Sequence, residues 1–207
     1  MRKLLTISVL IILISATGAA QVVKGDLLLG GSLGFSNSNN SFNTGGNEAT
    51  NVNFYPRISF GVGKNSILGT KLGFAYSNSK VDESVAQVNG SNFSFGIFWR
   101  KLLPIKGKLG WYTDLGANYC IGNSKTVDFS GTEIINKSNG YGAYIIPGLF
   151  YSISPGFLLN VDFGGLGYNH SRNENGQGND SKSNTVQLGL FQTFNFGFEF
   201  IIGGKKQ

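Results

Sequence analysis

The groups able to do chemistry in this 207-residue chain are few, and their spacing sorts them. The cations Arg57, Lys71 and Arg100 and the carboxylates Asp114, Asp162 and Glu199 all fall in segments that alternate apolar with polar residues, on the polar side. Carboxylates gathered this way could serve as acid and base. The plainer reading is a balanced lumenal charge network, because a buried charge is tolerated only when paired or wet. A second candidate is His170 beside Ser171, with Glu174 close by. A histidine-activated serine oriented by a carboxylate is machinery for acyl transfer, and near a lipid interface it would make a lipid-modifying acyl hydrolase or acyltransferase. Against it stands the surrounding Asn, Gly and Ser, which read as a solvated loop where adjacent side chains hold no fixed geometry. Cys120 is the sole cysteine and reads as an inert small side chain. One Cys and one His leave no disulfide framework, thiolate cluster or His-rich metal site. The sequence therefore assigns no catalytic, cofactor-binding or metal-binding residue, no cofactor and no enzymatic activity.

Composition narrows the scaffold that must hold these groups. Charged residues are 14%, aromatics 13% and glycines number 31, with 4 prolines and a formal charge of +6. So few charges exclude a disordered, coiled-coil or nucleic-acid-binding chain. Much Gly, Phe, Tyr, Asn and Ser with few helix formers points to an all-β protein. Residues 1–20 open with Arg2 and Lys3, continue through an apolar run from Leu4 to Ile14, and end in Ser15-Ala16-Thr17-Gly18-Ala19-Ala20. That is the pattern of a cleaved secretory signal peptide, leaving residues 21–207 as one domain. The run is too short for a transmembrane helix, and no later segment is apolar enough for one, so a membrane location requires a closed barrel.

From residue 26 onward the chain alternates with period two in eight segments. In the second, Val52, Phe54, Pro56, Ile58, Phe60 and Val62 share one face, and Asn53, Tyr55, Arg57, Ser59 and Gly61 the other. Short turns are predicted at Lys64–Ser66, Leu103–Gly107 and Ser154–Gly156. Long polar loops are predicted at Ser36–Thr50, Ser77–Gly90, Gly122–Ser138 and Tyr168–Ser183. Short turns on one side and long loops on the other, with an even strand count, is the layout of outer-membrane barrels. The sequence thus predicts an eight-stranded, antiparallel, up-and-down transmembrane β-barrel.

Alternation alone leaves open a soluble secreted barrel or sandwich with its oily face inward. The distribution of aromatics favours the membrane. Phe35, Tyr76, Phe93, Tyr119 and Tyr141 lie on the oily face near the long loops, and Trp99, Trp111, Tyr151, Phe157 and Phe200 near the short turns. Two such girdles match two membrane interfaces. A narrow eight-stranded lumen accepts Gly, Ser, Asn and paired charges more readily than rows of Phe. The lumen is therefore expected to be filled by side chains, with no large pore. The short-turn end collects Lys24, Lys64, Lys101, Lys106, Lys108, Lys205 and Lys206 against Asp26. These give no nucleic-acid footprint.

Three stretches carry a resemblance. Lys24-Gly25-Asp26-Leu27-Leu28-Leu29-Gly30-Gly31-Ser32-Leu33-Gly34-Phe35 resembles the opening strand of the small outer-membrane β-barrel family common in Bacteroidota. Gly164-Gly165-Leu166-Gly167-Tyr168 resembles the end of its seventh strand, and Asn195-Phe196-Gly197-Phe198 its closing strand. The resemblance implies an OmpA/OmpX-type transmembrane barrel in the outer membrane of a Gram-negative cell envelope. It also implies long loops outside, termini in the periplasm, and a structural or surface-interaction role. The expected partners are outer-membrane lipid, the barrel-insertion machinery during biogenesis, and an unidentified extracellular partner of the loops. A terminal aromatic often guides insertion of such barrels. Here Phe200 is followed by Ile-Ile-Gly-Gly-Lys-Lys-Gln, which displaces that signal.

Overall fold

Period-two alternation becomes eight antiparallel strands that close in sequence order. They are β1 (Leu27–Phe42), β2 (Gly45–Gly63), β3 (Ser66–Val81), β4 (Val85–Lys106), β5 (Leu109–Val127), β6 (Glu133–Ser154), β7 (Phe157–Glu174) and β8 (Asp180–Ile202). The computed structural model describes residues 22–42, 45–81, 85–127, 132–174 and 180–203. The signal-peptide expectation for residues 1–20 lies outside them. Each strand pairs with its chain neighbours, and β1 meets β8 through Leu27–Leu33 against Ile202–Phe196.

The connections differ from the sequence reading. Most of the residues expected as long loops are strand: β1 runs to Phe42 and β2 starts at Gly45, while β7 runs to Glu174 and β8 starts at Asp180. Backbone pairing supplies the hydrogen bonds of a ladder whatever the side chains are. Above an apolar band both faces meet water, so no oily row is needed to hold the register. Asn, Ser and Gly there mimic a loop signal. β5 runs for 19 residues, far longer than the roughly 5–6 residues of an ordinary strand. The predicted turn at Leu103–Gly107 also shortens, because β4 continues through Lys106.

At the short-turn end the chain plugs its own barrel. Gly25 N–H donates to Gly61 O at 2.8 Å, Gly61 N–H to Asp26 O at 2.8 Å, and Asn65 N–H to Val22 O at 2.9 Å. Val22 is thereby held in an apolar core with Leu28, Ile67, Phe98, Leu102, Tyr112, Phe150 and Leu158. Two phenylalanines therefore point inward, where the sequence reading favoured small and polar residues over Phe. They share the strand parity of Arg100 and Ser152, and the seal at this end gives them a dry place to pack.

Candidate functional site

The lumen has two parts. In the inner half, near the short turns, the side chains meet across the barrel. Arg100 on β4 faces Asp114 on β5 in register. Its Nε donates to Asp114 Oδ1 at 2.5 Å, its Nη2 to Asp114 Oδ2 at 2.7 Å, and its Nη1 crosses the lumen to Glu199 Oε1 at 2.7 Å. The guanidinium lies over the Tyr112 ring at 4.0 Å, and Tyr112 O–H donates to Asp162. Glycine makes this reach possible. Tyr112 pairs with Gly148, which pairs with Asp162, and a Cβ on Gly148 would stand 2.5 Å from the Tyr112 hydroxyl.

One step outward the charges loosen. Gly30 lies between Glu199 on β8 and Arg57 on β2, and Lys71 on β3 pairs with Arg57. Arg57 is 3.6 Å from Glu199 and 3.8 Å from Asp162, beyond hydrogen-bond reach. Its one side-chain hydrogen bond among the described residues runs from Nη2 to Ser32 Oγ at 3.3 Å. Its buried Nε and Nη1 have no hydrogen-bond partner. Lys71 has no carboxylate within ion-pair distance among the described residues. Its Nζ sits 4.2 Å from the Tyr144 ring and 5.8 Å from that of Tyr55. So the six charged residues read from the sequence share one lumen, but they divide into a tight cluster in which every Arg100 nitrogen is bonded, and a looser one around Arg57 and Lys71.

Above this floor the expectation of a lumen filled along its whole length is corrected. A cavity of about 590 Å³ is lined by Arg57, Lys71, Asp162, Tyr55, Tyr144 and Asn195 among others. It is continuous in its lining with a second space of about 470 Å³ among the Asn and Ser of the strand extensions. The inward residues at this level include Gly73, Ala75, Ser94 and Asn118, too short to meet across the barrel. Tyr55 and Tyr144 shape this chamber. Their inward parity was readable, but nothing in the sequence joined them to Lys71.

The remaining candidates separate. His170 lies on β7, where its ring stacks on Tyr141 at 4.9 Å and its Nδ1 is 2.8 Å from Asn184 Oδ1. Ser171 follows it in the strand and so points to the opposite face, which breaks up the adjacent pair. Cys120 lines the chamber, its Sγ 3.6 Å from Gly140 O. The girdle aromatics Phe35, Tyr76, Phe93, Trp99, Trp111, Tyr119, Tyr141 and Phe200 are exposed outward, and Tyr151 and Phe157 are half-buried. Tyr119 pairs with Tyr141 across β5 and β6, and Phe157 stacks on Phe200 at 4.7 Å.

No family model and no curated protein matches the chain. Among solved structures it is similar to a major outer membrane protein from Thermus thermophilus, with 14% identity, TM-score 0.48, and coverage of 86% of this chain and 99% of that one. It is also similar to the translocator domain of autotransporter NalP from Neisseria meningitidis, with 15% identity, TM-score 0.43, and coverage of 99% and 75%. A third likeness is to Neisserial surface protein A, with 15% identity, TM-score 0.32, and coverage of 88% and 97%. At such identities only the fold is at issue, and the function has to rest on the geometry of this chain.

Proposed function

We propose that the chain is an integral barrel of the bacterial outer membrane, with its long hairpins outside and its short turns and termini in the periplasm. The observation that carries this reading is the outward apolar band. Phe54, Phe74, Phe95, Leu115, Ile145, Leu166, Phe196 and Leu29, one from each strand, are all exposed, while Arg57, Arg100, Asp114, Asp162 and Glu199 are buried inside. In water this arrangement is inside out. In hydrocarbon each half-exposed Phe contributes about 2 kcal/mol. The kinship with the small Bacteroidota barrels and the OmpA/OmpX type belongs to the same proposal, as do the absence of enzymatic activity and a structural or surface-interaction role. The inner half, closed by the Arg100 cluster and its apolar core, supports a barrel without a large pore. Detergent-extracted protein should migrate differently on gels before and after boiling, and planar bilayers should show no nanosiemens conductance. Recovery of the folded chain in the aqueous fraction without detergent would overturn the reading in favour of a soluble barrel.

A further inference from the structure

The barrel wall is zipped over only part of its height. β1 pairs β2 as far as Phe42, and β8 pairs β7 as far as Asp180. Yet among the described residues no pairing joins β1 to β8 beyond Leu33 and Phe196. Next to the end of that seam β8 is irregular: between the pairs Asp162–Asn195 and Gly164–Leu190, β7 advances two residues and β8 five. The apolar side chains along the split are the most exposed of the band: Phe35 72%, Phe196 67%, Leu188 65% and Val186 73%, against 44% for Phe54 on the closed wall. Unpaired backbone at membrane depth is strongly disfavoured unless it borders water or a polar occupant. The split has that border, because Ser32 and Asn195, at its lower end, both line the 590 Å³ chamber. Its two edges differ in character. β1 continues as Ser36-Asn37-Ser38-Asn39-Asn40-Ser41, while β8 presents Val186, Leu188 and Leu190 outward.

The chamber behind the split is built for an anion. Two cations and one carboxylate line it, and the carboxylate, Asp162, already takes the Tyr112 hydroxyl. Arg57 is only 8% exposed; its contacts to Glu199 and Asp162 are loose ion pairs at 3.6 and 3.8 Å, and its buried Nε and Nη1 make no hydrogen bond. A buried guanidinium with nitrogens that make no hydrogen bond gains from an oxygen anion brought to it. We propose that the outer half of the β1–β8 seam is a lateral doorway to the outer leaflet, and that it admits a single-chain anionic amphiphile, a long-chain carboxylate. The headgroup sits on Arg57 and Lys71, and the tail lies in the split against Phe35, Leu188 and Phe196. This rests on the membrane-barrel reading.

The test uses the folded barrel in nonionic micelles with cis-parinaric acid, a fluorescent long-chain carboxylate. Boiling-dependent migration is checked first, and its absence overturns the membrane reading together with the doorway. With a folded barrel, binding should saturate and be displaced by palmitate, but not by its methyl ester, acetate or inorganic phosphate at equal concentration. Arg57→Met combined with Lys71→Met should weaken binding at least tenfold while migration is preserved. In a Cys120→Ser background, oxidising the pair Gly34→Cys and Asn195→Cys, one step beyond the last zipped pair, should slow association at least tenfold, and dithiothreitol should restore it. Displacement by acetate or phosphate as effective as by palmitate would mean a small-anion well filled from the loop side, and would overturn the doorway. Binding indifferent to the double Met variant would overturn the headgroup site. Disulfide-linked dimers of Asn37→Cys in the same Cys120→Ser background would show that the free edges pair with a second copy, and would overturn the proposal as well.

Discussion

In the half of the lumen beside the short turns, every nitrogen of the Arg100 guanidinium meets a carboxylate oxygen. In the half beside the long hairpins, Arg57 holds two buried nitrogens that make no hydrogen bond, and its carboxylates stand off at 3.6 and 3.8 Å. Both arginines sit on inward strand positions of the same barrel. The difference is the cross-section each must fill. Around Arg100 the inward neighbours are Phe98, Tyr112, Phe150 and Leu102, which exclude water and press the ions together. Around Arg57 the inward residues shorten to Ser32, Gly73, Ala75 and Ser94, and a cavity opens. The same charge type thus closes the barrel in one half and offers an unsatisfied surface in the other.

Four substitutions test this contrast, and unfolding by urea in micelles measures all of them. Arg100→Leu should cost most, about 3–5 kcal/mol, because it strands Asp114 and one oxygen of Glu199 in a dry interior. A loss below about 1 kcal/mol would mean that the inner cluster is hydrated and the contrast false. Gly148→Leu comes next. It drives a side chain into the Tyr112 ring and should cost roughly 1–3 kcal/mol by overpacking, with a lowered unfolding midpoint and unchanged slope. Arg57→Met should cost only about 1 kcal/mol, since Glu199 keeps Arg100 and Asp162 keeps the Tyr112 hydroxyl. Ala75→Leu should be the mildest, within about 0.5 kcal/mol, because its side chain enters the cavity rather than a packed core. Equal penalties for Gly148→Leu and Ala75→Leu would erase the distinction between the two halves.

Much of the barrel could be read directly. Phe54 and Arg57 were assigned to opposite faces from parity alone, and they stand on opposite faces. Eight segments became eight strands in a closed ring. The strand extensions were misread because Asn, Ser and Gly look alike in a solvated ladder and in a loop. Phe98 and Phe150 were passed over although their parity pointed inward, since a narrow lumen was taken to favour small and polar residues over rows of Phe. The plug from Val22 to Asp26 was not legible at all, because its hydrogen bonds go to Gly61 and Asn65, residues far along the chain.

What the sequence determined by itself was which side of each strand looks outward and which residues could face one another across a lumen. That follows from covalent geometry, because successive side chains of an extended backbone must point to opposite faces. Only the tertiary structure decided that Arg100, and not Arg57, hydrogen-bonds to carboxylates, Asp114 and Glu199. It alone also showed that β1 and β8 part above Leu33. Both outcomes depend on the register between strands remote in sequence, and that register is set by how the whole ring closes, not by any one segment.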